Sequence, residues 1–224
     1  MGKLYIVPTP IGNLKDITLR AIDVLAQVDF ILAEDTRKTK ILLKHYEINT
    51  ITKSYHIYNE HKVLDEIINL LISDKNIALV SDSGFPCISD PGFLLVREVI
   101  RKGIDVESLP GASSIFPALT LSGFPTTNFI FEGFLPKKKG RNKKILKLSK
   151  ETRTVVLFES PHRIIKLLNE IKDVCGIEKN ISVSREISKI FEETIRGTVN
   201  ECLSHFEGNE PKGEFVICIE GLKN

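Results

Sequence analysis

Short apolar runs of strand length alternate with stretches of helical periodicity, and this alternation constrains the chain more than any other feature. Leu4–Pro8, Phe30–Ala33, Ile77–Val80 and Val106–Leu109 read as strands. Between them, Ile17, Ala21, Ile22 and Leu25 share a helical face behind Asp16 as candidate cap. Val63, Leu64, Ile67, Ile68 and Leu71 do the same behind Asn59, and Asp90-Pro91 offers an N-cap and a proline at N1 for a helix through Ile100. Strands that take turns with helices predict α/β architecture with much parallel sheet, because parallel neighbours need a crossover between them.

The pattern restarts after Gly123-Phe124-Pro125, which places a domain boundary there and gives domains 1–124 and 125–224. Asn128–Phe131, Thr154–Phe158, Ile181–Ser184 and Glu214–Ile219 are the strand candidates of the second half, with Thr194-Ile195 in one more. Ile164, Ile165, Leu167, Leu168 and Ile171 form a helical stripe. A chain of 224 residues can bury such cores without disulfides or metals. Cys87, Cys175, Cys202 and Cys218 form no C-x-x-C pair, so they read as reduced thiols of a cytoplasmic protein. Met1–Pro10 lacks a signal-peptide pattern, Ile6 stands where myristoylation needs Ser or Thr, and no run of 18 apolar residues suggests a membrane span.

Ligands of open parallel sheets bind at loops beyond the carboxyl ends of strands. Three such loops are rich in Gly, Pro, Ser and Asp: 8–13, 81–92 and 110–114. Each alone is an ordinary turn; three together, all after predicted strands, favour a shared pocket. The fingerprints G-x-G-x-x-G, G-x-x-x-x-G-K-[ST] and G-x-S-x-G are absent, and the five histidines show no metal-ligand spacing with cysteine. Glu34-Asp35-Thr36-Arg37 ends the second strand with both charge signs, readable as a cap with a surface ion pair. Ser160-Pro161 reads as a helix start with His162 and Arg163 in its first turn, which suits either an anionic ligand there or an offsetting Glu159. The net charge of +2 divides into +8 on residues 136–150 and −6 elsewhere. Lys137, Lys138, Lys139, Arg141, Lys143, Lys144, Lys147 and Lys150 are either a solvated helix face or an anion-binding patch.

These motifs resemble a family. V-P-T-P-I-G-N-L-K-D at 7–16, A-E-D-T-R at 33–37, S-D-S-G-F-P-C-I-S-D-P-G at 81–92, L-P-G-A-S-S at 109–114, F-E-G-F-L-P-K-K at 131–138, F-E-S-P-H-R at 158–163, R-E-I-S-K-I-F-E-E at 185–193 and K-G-E-F-V at 212–216 are similar, in order, to the ribosomal RNA small subunit methyltransferase I family. That family is the ribose 2′-O-methyltransferase branch of the tetrapyrrole methylase superfamily. The resemblance implies two α/β domains with S-adenosyl-L-methionine in the cleft between them, methylation of a cytidine 2′-hydroxyl in the 16S rRNA decoding region of the small ribosomal subunit, and a homodimer. It carries methyl-donor contacts onto Pro8, Pro10, Gly12, Asp82, Ser83, Gly84, Ile88, Ser113 and Ser114. Phe158, Glu159, Arg185, Gly213 and Glu214 are the corresponding contacts of the second domain. Departures are Tyr58 in the stretch where relatives often read H-x-H-N-E, Ser188 for a common Thr, and an end at Asn224 where relatives usually continue into a helical extension. If that continuation is missing, part of an RNA-binding surface is expected to be missing with it.

Methyl transfer to a hydroxyl needs alignment, exclusion of water and a proton acceptor; it needs no metal. Candidate acceptors are Glu34, Asp35, His56 and Glu60, with Arg37, Arg163 and Lys189 to orient phosphate or stabilise the alkoxide. Lys137, Lys138, Lys139, Arg141, Lys143 and Lys144 are then candidate rRNA contacts. Two rivals remain. One is a methylase of the same fold acting on a tetrapyrrole precursor, against which the 8–13 loop lacks G-x-G-x-G-D. The other is a non-catalytic ribosome-assembly protein that binds RNA.

Overall fold

All four predicted strands of the first half form in a computed structural model, which describes residues 1–207 and 210–222. They are β1 (Leu4–Ile6), β2 (Phe30–Ala33), β4 (Ile77–Val80) and β5 (Val106–Ser108), and β3 (Ile51–Ser54) joins them at one edge. The sheet is wholly parallel in the order β3-β2-β4-β1-β5. Helices α1 (Leu19–Gln27) and α2 (Thr36–His45) cover one face, where Ala21, Leu25 and Leu43 pack with Ile31, Ala78 and Val80. Helices α3 (Glu60–Ile72) and α4 (Phe93–Arg101) cover the other, where Ile67, Leu71, Leu95 and Val99 pack with Leu32, Ile77 and Leu79. A strand buried on both faces reads as an unbroken apolar run, which is why Ile77–Val80 stood out.

Two helix starts differ from the sequence reading, and a third stands where it was read but lacks a side-chain cap bond. Thr18, not Asp16, caps α1 by accepting from the Ala21 N–H at 3.1 Å; Asp16 lies in a short 3-10 turn. Asn59 precedes α3, but its side chain accepts from His56 N–H and donates to the Ser54 carbonyl, bracing the loop behind it. Asp90-Pro91 stays in a turn because the Pro91 carbonyl accepts from Cys87 N–H at 3.2 Å; α4 begins at Phe93 after Gly92 at φ +132°.

The second unit starts at Ser114, before α5 (Ile115–Ser122), whereas the sequence reading ended the first domain at Phe124. The difference is α5 itself, whose Ala118, Leu119 and Ser122 are buried and which packs against two later strands, β8 (Asn180–Arg185) and β10 (Phe215–Ile219). With β6 (Phe129–Phe134), β7 (Thr154–Glu159) and β9 (Glu193–Thr198) they form a sheet in the order β6-β7-β10-β8-β9. Only β6 and β7 run parallel, so extensive parallel sheet is confined to the first unit. Helices α6 (Arg141–Leu148), α7 (Ile164–Cys175) and α8 (Val199–His205) cover the face carrying Val155, Leu157, Ile181, Val183 and Ile217. Strand alternation places Ser182, Ser184, Val216 and Cys218 on the opposite face with α5. Burial pushes the Cys218 thiol up to about 12 and the Cys202 thiol up to about 11, which keeps both inert. Among the described residues no helix is long and apolar enough to cross a membrane, and no three His, Cys, Asp or Glu are grouped to hold a metal ion.

Candidate active site

β1 and β4 are neighbours, yet the chain leaves β1 for α1 on one face of the sheet and β4 for α4 on the other. That divergence opens a crevice at their carboxyl ends, where open α/β sheets take ligands. The Gly- and Pro-rich loops meet there. Thr9 and Gly84 exchange backbone hydrogen bonds, both 3.0 Å, while Thr9 Oγ1 donates to the Ser81 carbonyl and Ser81 Oγ to the Gly84 carbonyl. A Cβ on Gly84 would lie 3.3 Å from Ile11 Cγ2 and 3.7 Å from the Ala112 carbonyl oxygen; one on Gly111 would lie 2.7 Å from Pro8 Cβ. Loops 8–13, 81–92 and 110–114 thus close on one another through backbone and proline rings. Pro8 and Gly84 are buried in this cradle, Pro10 and Asp82 are half-buried, and Gly12, Ser83 and Ile88 are exposed. Ser113 ends the first unit and Ser114 precedes α5 in the second.

Among the described residues six non-glycines have positive φ, and four of them lie in two motif loops: Cys87 (70°), Ser89 (65°), Glu186 (51°) and Ser188 (68°). Such conformations cost about 1–3 kcal/mol each and persist only where neighbours enforce them. The 185–193 motif supplies that enforcement through Glu186, which reads in the sequence as one of a group of solvated ion pairs with Arg185, Lys189, Glu192 and Glu193 and stands outside the site candidates. Its carboxylate accepts from the Glu214 N–H at 2.9 Å and from Lys189 Nζ at 2.8 Å, and it lies against Gly213 so closely that a Cβ there would overlap it.

Charged residues gather beyond β2 and β3. Asp82 accepts from the Asp35 N–H at 2.9 Å and pairs with Lys38 Nζ at 2.8 Å, which commits its carboxylate. Asp35 caps α2 and takes Nε and Nη2 of Arg37; those hydrogen bonds hold its carboxyl down to about 2. Glu34, half-buried beside Asp82, Lys38 and His56, behaves oppositely: burial first, then the Asp82 charge, raises its pKa. His56 Nδ1 accepts from Tyr58 N–H at 3.2 Å, and Glu60 accepts from the buried Tyr55 hydroxyl at 3.3 Å. A cavity of about 150 Å³ lies between Thr9–Pro10, α2 and Ser81–Asp82.

In the second unit several candidate side chains are already engaged. Glu159, fully buried, pairs with Arg163 at 2.7 Å and Arg141 at 3.4 Å and accepts from Ser160 N–H. Its carboxylate therefore has no free face for a ligand, and the offset of the Arg163 charge expected from Glu159 is present. Helix α7 begins at Ile164, because Arg163 and Ile164 N–H both turn back to the Ser160 carbonyl; Ser160-Pro161 is a turn and not the cap-and-N1 pair. Burial works against the Lys189 charge, but hydrogen bonds and charges of Glu186 and Glu214 outweigh it and raise its pKa. Arg185 pairs with Glu193 at 2.7 Å and lines a 400 Å³ cavity with His205, Phe206 and Lys212. Phe158 packs edge-on against Phe131 with centroids 4.9 Å apart.

The basic segment divides in two. Arg141, offered as an RNA contact, is 2% exposed and points inward with Ile145 and Leu148 at helical spacing. It pairs with Glu170 at 2.7 Å and donates to the Pro136 carbonyl, so it is withdrawn from the RNA-facing set. Lys144 pairs with Glu132 at the β6 irregularity. Lys137, Lys138, Lys139, Lys143, Lys147 and Lys150 are exposed, with no ion pair among the described residues. Removing Glu159 would take the buried counter-charge from Arg163 and weaken that of Arg141, so Glu159→Ala should cost about 3–5 kcal/mol. A urea titration reads this as a clear fall in midpoint; an unchanged midpoint would contradict the network.

The family model for Tetrapyrrole (Corrin/Porphyrin) Methylases matches residues 3–203. The chain is 48% identical over 221 residues to the Ribosomal RNA small subunit methyltransferase I of Thermotoga maritima, covering 99% of both chains. It is 46% identical to the protein of that name from Bacillus subtilis, covering all of this chain and 77% of that one, so a longer chain is a feature of some relatives only. Among solved structures, uroporphyrin-III C-methyl transferase from Thermus thermophilus complexed with S-adenosyl homocysteine aligns with TM-score 0.67 at 16% identity, over 97% of each chain. That likeness speaks to the fold alone, whereas the sequence relatives decide the branch: the chain belongs to the tetrapyrrole methylase family, among its ribosomal RNA small subunit methyltransferase I members.

Proposed function

We infer that this protein is an S-adenosylmethionine-dependent methyltransferase acting on the RNA of the small ribosomal subunit. The observation that carries this is the closure of three Gly/Pro loops around Gly84 at the β1/β4 crevice. A wall of glycine backbone and rigid proline rings suits close approach by a flat adenosyl group and its polar tail. Relatives named for ribosomal RNA methylation at 46–48% identity support the RNA substrate. The six outward lysines supply charge for phosphates. The finer reading is transfer to a cytidine 2′-hydroxyl of the 16S decoding region, by a homodimer in the cytoplasm.

S-adenosylmethionine, when bound, supplies a methyl carbon already activated by its sulfonium charge. Pro8, Pro10, Gly12, Ser83, Gly84, Ile88, Ser113 and Ser114 would hold it, with Asp82 stiffening the wall through Asp35 and Lys38. Phe158, Gly213 and Glu214 are the second unit's candidate contacts. Holding the ribose oxygen in line can remove up to about 7–11 kcal/mol of the barrier. Among the acceptors, Asp35 is too acidic, and Glu60 already accepts a hydrogen bond from the Tyr55 hydroxyl. Glu34 is half-buried with a raised pKa, which suits a carboxylate oxygen that takes the 2′-hydroxyl proton. Lys189, held protonated, can stabilise negative charge but cannot accept a proton. Glu34→Gln should lower the single-turnover rate about 100-fold or more while S-adenosylmethionine still binds in calorimetry. An undiminished rate would remove Glu34 from the role.

A further inference from the structure

The sequence counted Arg141 with the lysines around it, yet its guanidinium faces the interior. Nε and Nη2 reach Glu170 of α7 at 2.8 and 2.7 Å, Nη1 donates to the Pro136 carbonyl at 3.2 Å, and Nη2 lies 3.4 Å from Glu159 at the end of β7. Glu159 is in turn gripped by Arg163 at 2.7 Å. One planar cation thus ties together the residue that precedes the lysine run, the helix that carries it, the neighbouring helix and a central strand end. Lysine could not do this, because its ammonium is a single point and the guanidinium is a fork with donors in fixed directions. The segment needs such a tie: α6 is only eight residues long, carries three cations after Arg141 in a run with no acid, and buries only Ile145 and Leu148 beside Arg141. A short helix of like charges is marginal without tertiary support.

We propose that Arg141 is a positioning residue for RNA, whose buried contacts to Glu170, Glu159 and the Pro136 carbonyl hold the 137–150 segment in one conformation, so that its six outward lysines meet RNA as a fixed array. Arg141 touches no RNA in this account. A segment whose backbone is already ordered loses less conformational entropy on docking than a mobile one. The RNA half of the proposal rests on the function inferred above; the ordering half does not.

The test compares the wild-type protein with Arg141→Lys and Arg141→Gln. Hydrogen–deuterium exchange reads the ordering half without any ligand. Both substitutions should speed exchange of the 137–150 amides by about tenfold or more, while the amides of α7 keep their protection. Unchanged exchange in 137–150, or equal loss throughout the second unit, would overturn the proposal. Filter binding to a 16S rRNA fragment spanning the decoding region reads the other half. Arg141→Lys keeps the net charge, so it should weaken binding about fivefold to twentyfold at fixed salt while the slope of log affinity against log salt stays at the wild-type value. Wild-type affinity in Arg141→Lys would overturn it. So would a slope that falls by about 0.7–0.9 in Arg141→Gln, because that marks a direct phosphate contact. Should Arg141→Gln unfold because Glu159 keeps Arg163 as its one counter-charge among the described residues, Glu170→Gln breaks one arm at a partly exposed carboxylate and should still loosen 137–150; no loosening would count against the brace. A wild-type protein that ignores the fragment while the exchange results hold would defeat the RNA function and leave the brace standing.

Discussion

Gly84→Val should cripple methyl-donor binding. Gly84 sits at φ +77°, a left-handed conformation that a β-branched residue resists, and its missing Cβ leaves room between Ile11 and the Ala112 carbonyl. Backbone strain alone amounts to about 2–3 kcal/mol, or about 30- to 150-fold in affinity if the loop shifts to relieve it. Gly111→Ala should act through a different contact, since its Cβ would fall 2.7 Å from Pro8 Cβ and a proline ring has little freedom to move. The matched control is Gly103→Ala. It has φ +68° and nothing within 4 Å of the added carbon, so it carries similar strain away from the loops. Calorimetry with S-adenosylmethionine should show both cradle variants weakened at least about 30-fold and Gly103→Ala near wild type. Equal affinity in all four proteins would contradict the cradle.

The second large effect belongs to the basic segment. Replacing Lys137, Lys138, Lys139, Lys143, Lys147 and Lys150 together by alanine removes the six exposed lysines that make no ion pair among the described residues. If each meets a phosphate, the salt slope of RNA binding should fall by about 4–5. The wild-type protein should lose about a thousandfold in affinity between 50 and 200 mM salt, and the variant far less. Methyl-donor binding should survive, because the substituted side chains lie on the second unit's surface and not in the cradle. An unaltered slope would return the segment to a solvated helix face.

Much of the first unit was legible because its chemistry is local. Ile77–Val80 and Phe30–Ala33 were found to the residue, since strands buried on both faces need continuous apolar runs. The strand β3, Ile-Thr-Lys-Ser at the sheet edge, gave no such signal, and α5 was lost inside the expected boundary. Asp90-Pro91 and Ser160-Pro161 carry the residues of a helix start but not the partners. A carbonyl of Pro91 taken by Cys87, and a turn closed on Ser160, move the real starts to Phe93 and Ile164. The antiparallel order of the second sheet depends on long-range pairing, which no local periodicity reports.

The loops of the candidate site were visible as three separate runs of Gly, Pro, Ser and Asp; their meeting at Gly84 was an expectation from strand ends, and the geometry brings them together. Which charged groups are spent on one another was not visible. Glu159 and Asp82 looked like ligand contacts and turned out to be hubs of internal pairs, while their partners Glu170 and Lys38 drew no notice. Arg141 is the instructive case, because the sequence did hold the sign: it shares the 141, 145, 148 face with Ile145 and Leu148, and a charge on an apolar stripe needs a buried partner.

The most direct measurement incubates the protein with methyl-labelled S-adenosylmethionine and small ribosomal subunits lacking the modification, then isolates the decoding-region fragment of the rRNA and digests it to nucleosides for mass spectrometry. The account predicts label in a 2′-O-methylcytidine from the decoding region, and none when Gly84→Val replaces the wild-type protein. Unlabelled rRNA beside an active donor-binding protein, or label that appears only on an added tetrapyrrole, would contradict it.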